Sequence, residues 1–385
     1  MRRPLTALLL VTTVVAAACT DESSDGGTTA PGTEPTTTVI APDLAMVAGQ
    51  PIPEARCQAN QEAGTIVYLS SFDFAATASI VDVLVAKSKG YYEALCLDVE
   101  LKPSFSVDNY PQIAANDAQF SSGGSFSEMV DFAGANDAGF VALAVEGRTG
   151  IDALITKDGA VPTLADIAGT KIGVKGAITP SVKAMLAQQG LIEGEDYETV
   201  LLDGFDPLVH IEVPDIVGFP GYKSNEPLQL EAAGVPFTLY DPSDYGVPGS
   251  FGVVYTNDTF LTEHPTAAQD FMRATMRGLA DAIADPAGAA EIAVGFIEAG
   301  DNIMFLSAES ETARWGVESQ LVADGVAPGA PLGLPLVDEL TAEVTTYASI
   351  GLFDGVAPDI TTMVDPAVLA GVYDADGTVI WPSGG

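Results

Sequence analysis

Basic residues are scarce in this sequence of 385 residues. Fifteen lysines and arginines stand against 53 aspartates and glutamates, which gives a formal net charge of −38. This charge excludes nucleic acid as a partner and opposes the binding of anions wherever a site is not locally basic. Much of it is expected to form a solvated surface that keeps the protein soluble.

Histidine is nearly absent, since only His210 and His264 occur. Neither lies in a catalytic constellation, and the sequence has no His/Cys metal spacing, no Ser-containing nucleophile elbow and no P-loop triad. No catalytic residue, metal site or cofactor is therefore predicted. An exported enzyme and a cell-surface adhesion module remain alternatives, without a positive feature in favour of either.

No apolar run reaches the ~20 residues that a membrane-spanning helix needs. The first run, residues 5–15, follows two arginines and precedes three alanines and Cys19, an order typical of a secretory signal peptide over residues 1–18. The small residues before Cys19 resemble a bacterial lipobox, which implies lipidation of Cys19 and a membrane anchor outside the cytoplasm. Ordinary cleavage with an incidental Cys19 is the alternative. Residues 19–45 are rich in Thr, Gly and Pro and predict a disordered tether.

Cysteine is also rare, because only Cys57 and Cys96 follow Cys19. In an oxidising compartment a disulfide between them is expected, and two buried free thiols are the alternative.

Strand and helix patterns alternate from residue 65 onward, with β-rich runs at 65–69, 97–102 and 141–145 and a helical pattern over 75–89. This order predicts an α/β fold with mainly parallel sheets flanked by helices. The chain is long enough for two lobes. We assign residues 46–154 and 250–385 to the first lobe and 155–249 to the second, with hinge strands near 151–156 and 250–254.

Three segments resemble the NMT1/THI5-like group of ABC-transporter substrate-binding proteins, which have the type II periplasmic-binding-protein fold. The first runs from Lys89-Gly-Tyr-Tyr-Glu-Ala to Leu97-Asp-Val-Glu-Leu, with Cys96 where relatives have glycine, and the second is residues 163–174. The third, Gly221-Tyr-Lys-Ser-Asn-Glu-Pro followed by Asp244-Tyr-Gly-Val, is similar to a branch that imports thiamine-type pyrimidine precursors. The chain departs from the family at Pro214 and Ile216. The resemblance covers residues 65–299.

The resemblance implies a monomer that binds a small aromatic heterocycle between its lobes and delivers it to an ABC permease. Sulfonate, nitrate and riboflavin-type ligands are the alternatives within the family. Loops at the carboxyl ends of the predicted strands are where such sheets bind ligands. The predicted ligand-binding residues in these loops are Ser71, Phe72, Asp73, Ser122, Gly123, Ser125, Thr179, Pro180, Tyr222, Asn225, Glu226 and Tyr245.

These side chains supply carboxylate, amide and aromatic groups, which complement the N–H donors, ring nitrogens and flat faces of an aminopyrimidine. Several have purely structural alternatives. Asp73, Thr179 and Asn225 are each placed to cap a helix, and Phe72 could pack in the core. Lys175 and Lys223 are the only cations of these loops, which disfavours an anionic ligand.

Overall fold

The computed structural model describes residues 40–300 and 307–384. The predicted signal peptide, Cys19 and most of the predicted tether lie outside these described residues. Within them, no helix is both long and apolar enough to cross a membrane. The strands are β1 (Thr65–Leu69), β2 (Asp98–Lys102), β3 (Phe120–Gly123), β4 (Phe140–Gly147), β5 (Asp152–Lys157), β6 (Lys171–Val174), β7 (Glu198–Leu201), β8 (Gly218–Tyr222), β9 (Phe237–Tyr240) and β10 (Phe251–Asn257).

Helices cover both sheets. They are α1 (Glu54–Glu62), α2 (Val81–Ser88), α3 (Tyr91–Ala94), α4 (Ser106–Ala114), α5 (Phe126–Asn136), α6 (Pro180–Gln188), α7 (Pro207–Ile211), α8 (Glu226–Ala232), α9 (Asp258–Glu263), α10 (Pro265–Ala284), α11 (Pro286–Ala299), α12 (Ala308–Asp324), α13 (Val337–Ser349) and α14 (Pro366–Ala370). Short 3₁₀ turns span Pro42–Leu44, Leu164–Ile167, Pro242–Tyr245 and Leu352–Gly355.

The strands form two five-stranded sheets, in the orders β2-β1-β3-β10-β4 and β7-β6-β8-β5-β9. We call each sheet with its flanking helices a lobe. The presence of two such sheets confirms the predicted two-lobed α/β class. The sheets are mixed rather than mainly parallel. In the first, β10 runs antiparallel to both β3 and β4, and in the second β5 runs antiparallel to β8 and β9. The predicted parallel pairs form between β1, β2 and β3 and between β6, β7 and β8.

Burial explains the apolar composition of β4 and β10 in the first lobe. Every residue of β4 and of β10 is buried, and both strands are mostly apolar, as expected for strands covered on both faces. Helix α10 packs on this lobe, where Phe271 stacks on Phe120 with ring centroids 3.9 Å apart. The polar face of α10 is anchored by Asp270, which accepts from Arg56 Nε at 2.7 Å and from Asn60 Nδ2 at 2.7 Å.

The expected disulfide joins Cys57 in α1 to Cys96 in the turn before β2, with Cα atoms 5.3 Å apart. Cys96 has a φ of 61°, in the left-handed region where glycine has no steric penalty. Glycine would adopt this conformation without strain, and here the disulfide holds a cysteine in it.

Helix α2 begins at Val81, six residues later than the sequence pattern predicts. Three of the backbone N–H groups before it bond to carboxylates of distant elements. Glu311 accepts from Ala76 N, Glu318 accepts from Ala78 N, and Glu146 accepts from Ser79 N. Residues 70–80 therefore form a loop, which we call the cradled loop.

The chain crosses between the sheets at residues 148–151 and 246–250. The crossings touch so closely that a Cβ atom at Gly249 would lie 2.5 Å from the backbone nitrogen of Gly150. Helix α13 packs beside them, and Tyr347 Oη donates to the Pro248 carbonyl at 3.0 Å. Only glycine fits at position 249 without moving the other crossing.

The C-terminal segment contacts both lobes, whereas the sequence interpretation placed it on the first lobe alone. Trp315 is fully buried and donates to the Ala282 carbonyl of α10, within the first lobe. Tyr347, by contrast, belongs to the apolar core of the second lobe. Helix α12 also reaches the second lobe, through the polar contacts described below.

Candidate functional site

The cradled loop follows the carboxyl end of β1 and carries three predicted ligand residues, Ser71, Phe72 and Asp73. Phe72 is 45 % exposed and makes an edge contact with the Phe105 ring, with centroids 5.9 Å apart. Asp73 is buried, has a φ of 48°, and accepts from Phe74 N at 2.8 Å. Because α2 starts only at Val81, Asp73 caps no helix. Burial raises its pKa above the ordinary value.

A second loop, after β3, lies beside the first because β1 and β3 are parallel neighbours. Ser122 Oγ accepts from Ser71 N at 2.6 Å and so ties the two loops together. Gly123 pairs with Val253 in the sheet, and Ser125 caps α5 by accepting from Glu128 N at 3.3 Å. The two serine hydroxyls are therefore used in holding the loops.

In the second lobe, the loops after β6 and β8 share one edge of the sheet because these strands are parallel. Thr179 and Pro180 begin α6 as predicted, but the Thr179 side chain makes no capping hydrogen bond. Its Oγ1 is buried and has no partner among the described residues. Ser181, one residue further, donates to Asp152 Oδ2 at 3.3 Å.

Tyr222 and Glu226 form the centre of the β8 loop. Tyr222 is 50 % exposed, so a ring face remains open to a ligand. Glu226 is buried and accepts from Tyr222 N at 2.8 Å, while its other oxygen pairs with Lys175 Nζ at 2.8 Å. The carboxylate thus fixes the tyrosine loop and neutralises the nearest lysine.

Asn225 and Tyr245 differ from one another in their placement. Asn225 precedes α8 but its side chain does not cap that helix; its Oδ1 accepts from Arg314 Nη2 at 3.0 Å. Tyr245 ends the 3₁₀ turn Pro242–Tyr245, which packs on α6. Among the described residues, no hydrogen bond, ion pair or ring contact joins Tyr245 to the other predicted ligand residues. Its part in the site therefore stays a prediction.

Helix α12 supplies three site residues that the sequence reasoning missed: Glu311, Arg314 and Glu318, which we call the α12 stripe. Their spacing of three and four residues places them on one helical face. Glu318 accepts from Thr77 Oγ1 and Ala78 N in the first lobe, at 2.6 and 2.7 Å. Its other oxygen accepts from Ser224 Oγ in the second lobe at 2.6 Å. One carboxylate therefore joins the two lobes.

Arg314, like Glu318, contacts residues of both lobes. Its guanidinium carbon lies 5.9 Å from the centroid of the Phe72 ring, and Nη2 donates to Asn225. Nη1 lies 3.4 Å from Glu311 Oε1. The stripe could have been suspected from its helical spacing alone, but nothing local to residues 311–318 shows which loops it meets.

Asp152 is a further carboxyl that the sequence reasoning did not single out. It is the first residue of β5 and pairs in register with Tyr222, directly after the first crossing between the lobes. Burial raises its pKa to about 7, and the neighbouring charge of Glu226 also raises it. A carboxyl that changes charge near neutral pH therefore lies beside the exposed tyrosine.

The cations near this site are already paired. Lys175 pairs with Glu226, Lys223 pairs with Asp241 at 2.8 Å, and Arg314 lies against Glu311. Carboxylates outnumber these cations, so the site offers acceptors and aromatic faces rather than a free positive charge. No group of histidine, cysteine or acidic residues able to hold a metal ion occurs in the described part of the chain.

Two lobes joined by two crossing segments, with loops of both lobes bonded to one face of α12, are the arrangement of the periplasmic-binding class of ligand-binding proteins. The chain belongs to the NMT1/THI5-like family, whose model matches residues 77–289. This match confirms the resemblance seen in the sequence to substrate-binding proteins of that family. It also supports a binding role in place of an enzymatic one.

Individual relatives agree with this class. The riboflavin-binding protein RibY of Chloroflexus aurantiacus is 26% identical over 272 residues, which cover 68% of this chain and 72% of RibY. The ligand-binding component of an ABC-type import system from Staphylococcus aureus has a TM-score of 0.58 at 13% identity, covering 80% of this chain and 98% of its own. A sulfonate-binding protein of Methylobacillus flagellatus has a TM-score of 0.57 at 17% identity, covering 79% and 92%. The two structures show a shared fold.

Proposed function

We propose that this protein is the solute-binding component of an ABC importer and captures a planar, uncharged or weakly basic nitrogen heterocycle between its lobes. The observation that carries the proposal is the pair Phe72 and Tyr222. These aromatic side chains belong to different lobes, and each keeps about half of its surface exposed, at 45 % and 50 %. Exposed aromatic faces at a gap between lobes suit a flat ring that stacks as the lobes close.

Charge separates this ligand class from the anionic ligands of related proteins. A sulfonate or nitrate would need a cation that no carboxylate neutralises, and burying an anion beside carboxylates is costly. Lys175, Lys223 and Arg314 are each engaged with a carboxylate. Carboxylates instead accept hydrogen bonds from ring N–H, amino or hydroxyl groups.

Two heterocycles have specific support. Riboflavin is favoured by the similarity to RibY, and its ring and ribityl chain carry the N–H and hydroxyl donors that Glu226 and Asp152 can accept from. An aminopyrimidine is favoured by the resemblance of Gly221 to Pro227 to the branch that imports thiamine precursors. Both are flat and neither is an anion.

Direct titration tests the proposal. Purified protein is mixed with riboflavin, 4-amino-5-hydroxymethyl-2-methylpyrimidine, taurine and nitrate, and binding is followed by calorimetry and, for riboflavin, by quenching of flavin fluorescence. We expect one of the two heterocycles to bind and to raise the melting temperature, as mass action requires. Binding of taurine or nitrate with neither heterocycle would disprove the assigned ligand class.

We further propose that the chain is anchored by lipid on Cys19 outside the cytoplasm, where its disulfide persists and a permease receives the ligand. A Cys19→Ser variant expressed in a bacterium is expected in the soluble fraction, while the parent protein stays with the membrane. An equal distribution of both would remove the anchor. The predicted lobe bound at 154/155 falls inside β5 of the second sheet, so we propose lobes of residues 46–151 with 250–385 and residues 152–249. The proposed hinge lies where the crossings meet at Gly150 and Gly249.

A further inference from the structure

Arg314 lies at the meeting point of both lobes. Its guanidinium lies over Phe72 of the first lobe and donates to Asn225 of the second. Both of these residues belong to loops at the carboxyl ends of strands. Arg314 itself belongs to neither loop, since α12 delivers it from a distant part of the chain. It therefore contacts one predicted ligand loop of each lobe from outside both loops.

The orientation of Arg314 is set by its neighbours. Glu311 lies one turn earlier and holds Nη1 at 3.4 Å, while Glu311 Oε2 is fixed by accepting from Ala76 N at 2.6 Å. Only 10% of the Arg314 side chain is exposed. A guanidinium has five N–H donors in a rigid plane, and Asn225 accepts from one of them. Glu311 Oε1 forms an ion pair with Arg314 but no hydrogen bond, so further N–H donors of Arg314 are available beside Phe72 and Asn225.

We propose that Arg314 is a ligand-selecting residue that donates to a ring carbonyl of the bound heterocycle, which makes a ring dione the preferred substrate class. The inference rests on the proposed function, because it requires a flat ring between Phe72 and Tyr222. The ionised carboxylates of the site accept hydrogen bonds and cannot donate to a ring carbonyl, whereas the Arg314 guanidinium can. An isoalloxazine has two carbonyls on its pyrimidine ring, whereas the aminopyrimidine of a thiamine precursor has none. Arg314 therefore distinguishes the two candidates.

The test compares ligands within one variant. Arg314→Lys keeps the charge beside Glu311 but loses the planar fork, which Lys does not replace. Dissociation constants are measured for riboflavin, for lumichrome, which keeps the dione without the ribityl chain, and for 4-amino-5-hydroxymethyl-2-methylpyrimidine. We expect binding of the two diones to weaken roughly ten- to a hundredfold, as for loss of a hydrogen bond from a charged donor. Affinity for the aminopyrimidine should stay unchanged.

Arg277→Lys is the matched control, since Arg277 lies over the Tyr91 and Trp381 rings away from the gap. It should alter none of the three affinities. The ratio of affinities within one variant is insensitive to partial misfolding, which would lower all of them together. Equal loss for diones and aminopyrimidine, or no loss for the diones, overturns the role of Arg314.

The parent protein separates the two proposals. If it binds the aminopyrimidine and neither dione, the selecting role of Arg314 is wrong while the proposed heterocycle class stands. If it binds none of the three compounds, both proposals are wrong. If it binds the diones, and Arg314→Lys weakens their binding while Arg277→Lys does not, both are supported.

Discussion

At the scale of single residues, the site depends on a few side chains whose surroundings change their chemistry. Tyr222 has an open ring but a backbone fixed by Glu226. Asp152 lies next to it in the sheet and has a pKa of about 7. A stacking surface and a titrating acceptor are thus adjacent, although neither residue is unusual in the sequence.

Tyr222→Ala should weaken binding of the heterocycle roughly fivefold or more, because an aromatic pair adds about 1 kcal/mol beyond buried area. Tyr222→Phe keeps the ring and should bind nearly as well as the parent. Calorimetric titration of both variants measures the difference. If the alanine and phenylalanine variants bind alike, stacking at position 222 is not part of recognition.

Ligand affinity should rise with pH between about 6 and 8. Asp152 is protonated below its pKa of about 7 and becomes a stronger acceptor above it, so a donor on the ligand binds more tightly as pH rises. Asp152→Asn should flatten this dependence. Dissociation constants of the parent and the variant, measured across that pH range, test this prediction. The same pH dependence of affinity in Asp152→Asn as in the parent would contradict the role of Asp152.

At the scale of elements, helix α12 connects the two lobes, although it lies late in the sequence and outside the predicted ligand loops. Glu318 bonds the cradled loop through Ala78 and the second lobe through Ser224. Movement of the lobes apart would break the bond to Ser224 and leave the bonds to the cradled loop intact. Helix α12 is therefore placed to stabilise the closed arrangement.

Ser224→Ala should weaken ligand binding about fivefold, because one hydrogen bond worth about 1 kcal/mol is lost only in the closed arrangement. Small-angle scattering should show a larger mean radius of gyration for the variant without ligand. Thr312→Ala is the matched control, because that exposed hydroxyl bonds the Ala308 carbonyl within α12 itself. Equal effects of the two substitutions would argue against a bond between lobes that favours closure.

The disulfide links α1 to the turn before β2, and its removal should be costly. Cys57→Ser with Cys96→Ser should lower the free energy of unfolding by about 3–4 kcal/mol on the chain-entropy model for a sequence separation of 39 residues. Cys57→Ser with Cys96→Gly should recover about 1 kcal/mol, because glycine tolerates the φ of 61°. Urea unfolding measures both variants. If serine and glycine at position 96 give equal stability, backbone strain there is negligible.

At the scale of the whole molecule, the net negative charge and the buried acids both lower the stability of the fold as pH rises. The chain carries 53 acidic and 15 basic residues, so self-repulsion grows as carboxyls ionise. Burial raises the pKa of Asp152, Glu318 and Glu343 above their ordinary values. Asp82 and Glu146 are a buried pair whose pKa values are raised by burial, and for Glu146 also by the charge of Asp82.

The protein should be more stable near pH 5 than near pH 8. An acid whose folded pKa lies above its unfolded value binds more protons in the folded state between those values, so stability falls as pH rises through that window. The window here runs from about 4, the unfolded value, to about 7. We expect a fall of at least ~1 kcal/mol, or roughly 2–4 °C in Tm, by calorimetry. A rising Tm over the same range would refute this account.

Much of the architecture follows from the sequence by itself. The alternation of strand and helix, the strands predicted at 65–69, 97–102 and 141–145 and the pairing of Cys57 with Cys96 are all found as expected. These features depend on local periodicity or on the small number of cysteines. The loops carrying Phe72 and Tyr222 could likewise be placed at strand ends, because parallel strands end at one edge.

Only the tertiary structure decided how those loops are held and what surrounds them. Ala76 meets Glu311 across 235 residues of sequence, and Ala78 meets Glu318 across 240. Such partners delay the start of α2, draw Asn225 to Arg314 instead of to its own helix, and bring α12 into the gap. Local patterns do not specify these choices, because a buried polar group bonds whichever distant partner packing brings within reach.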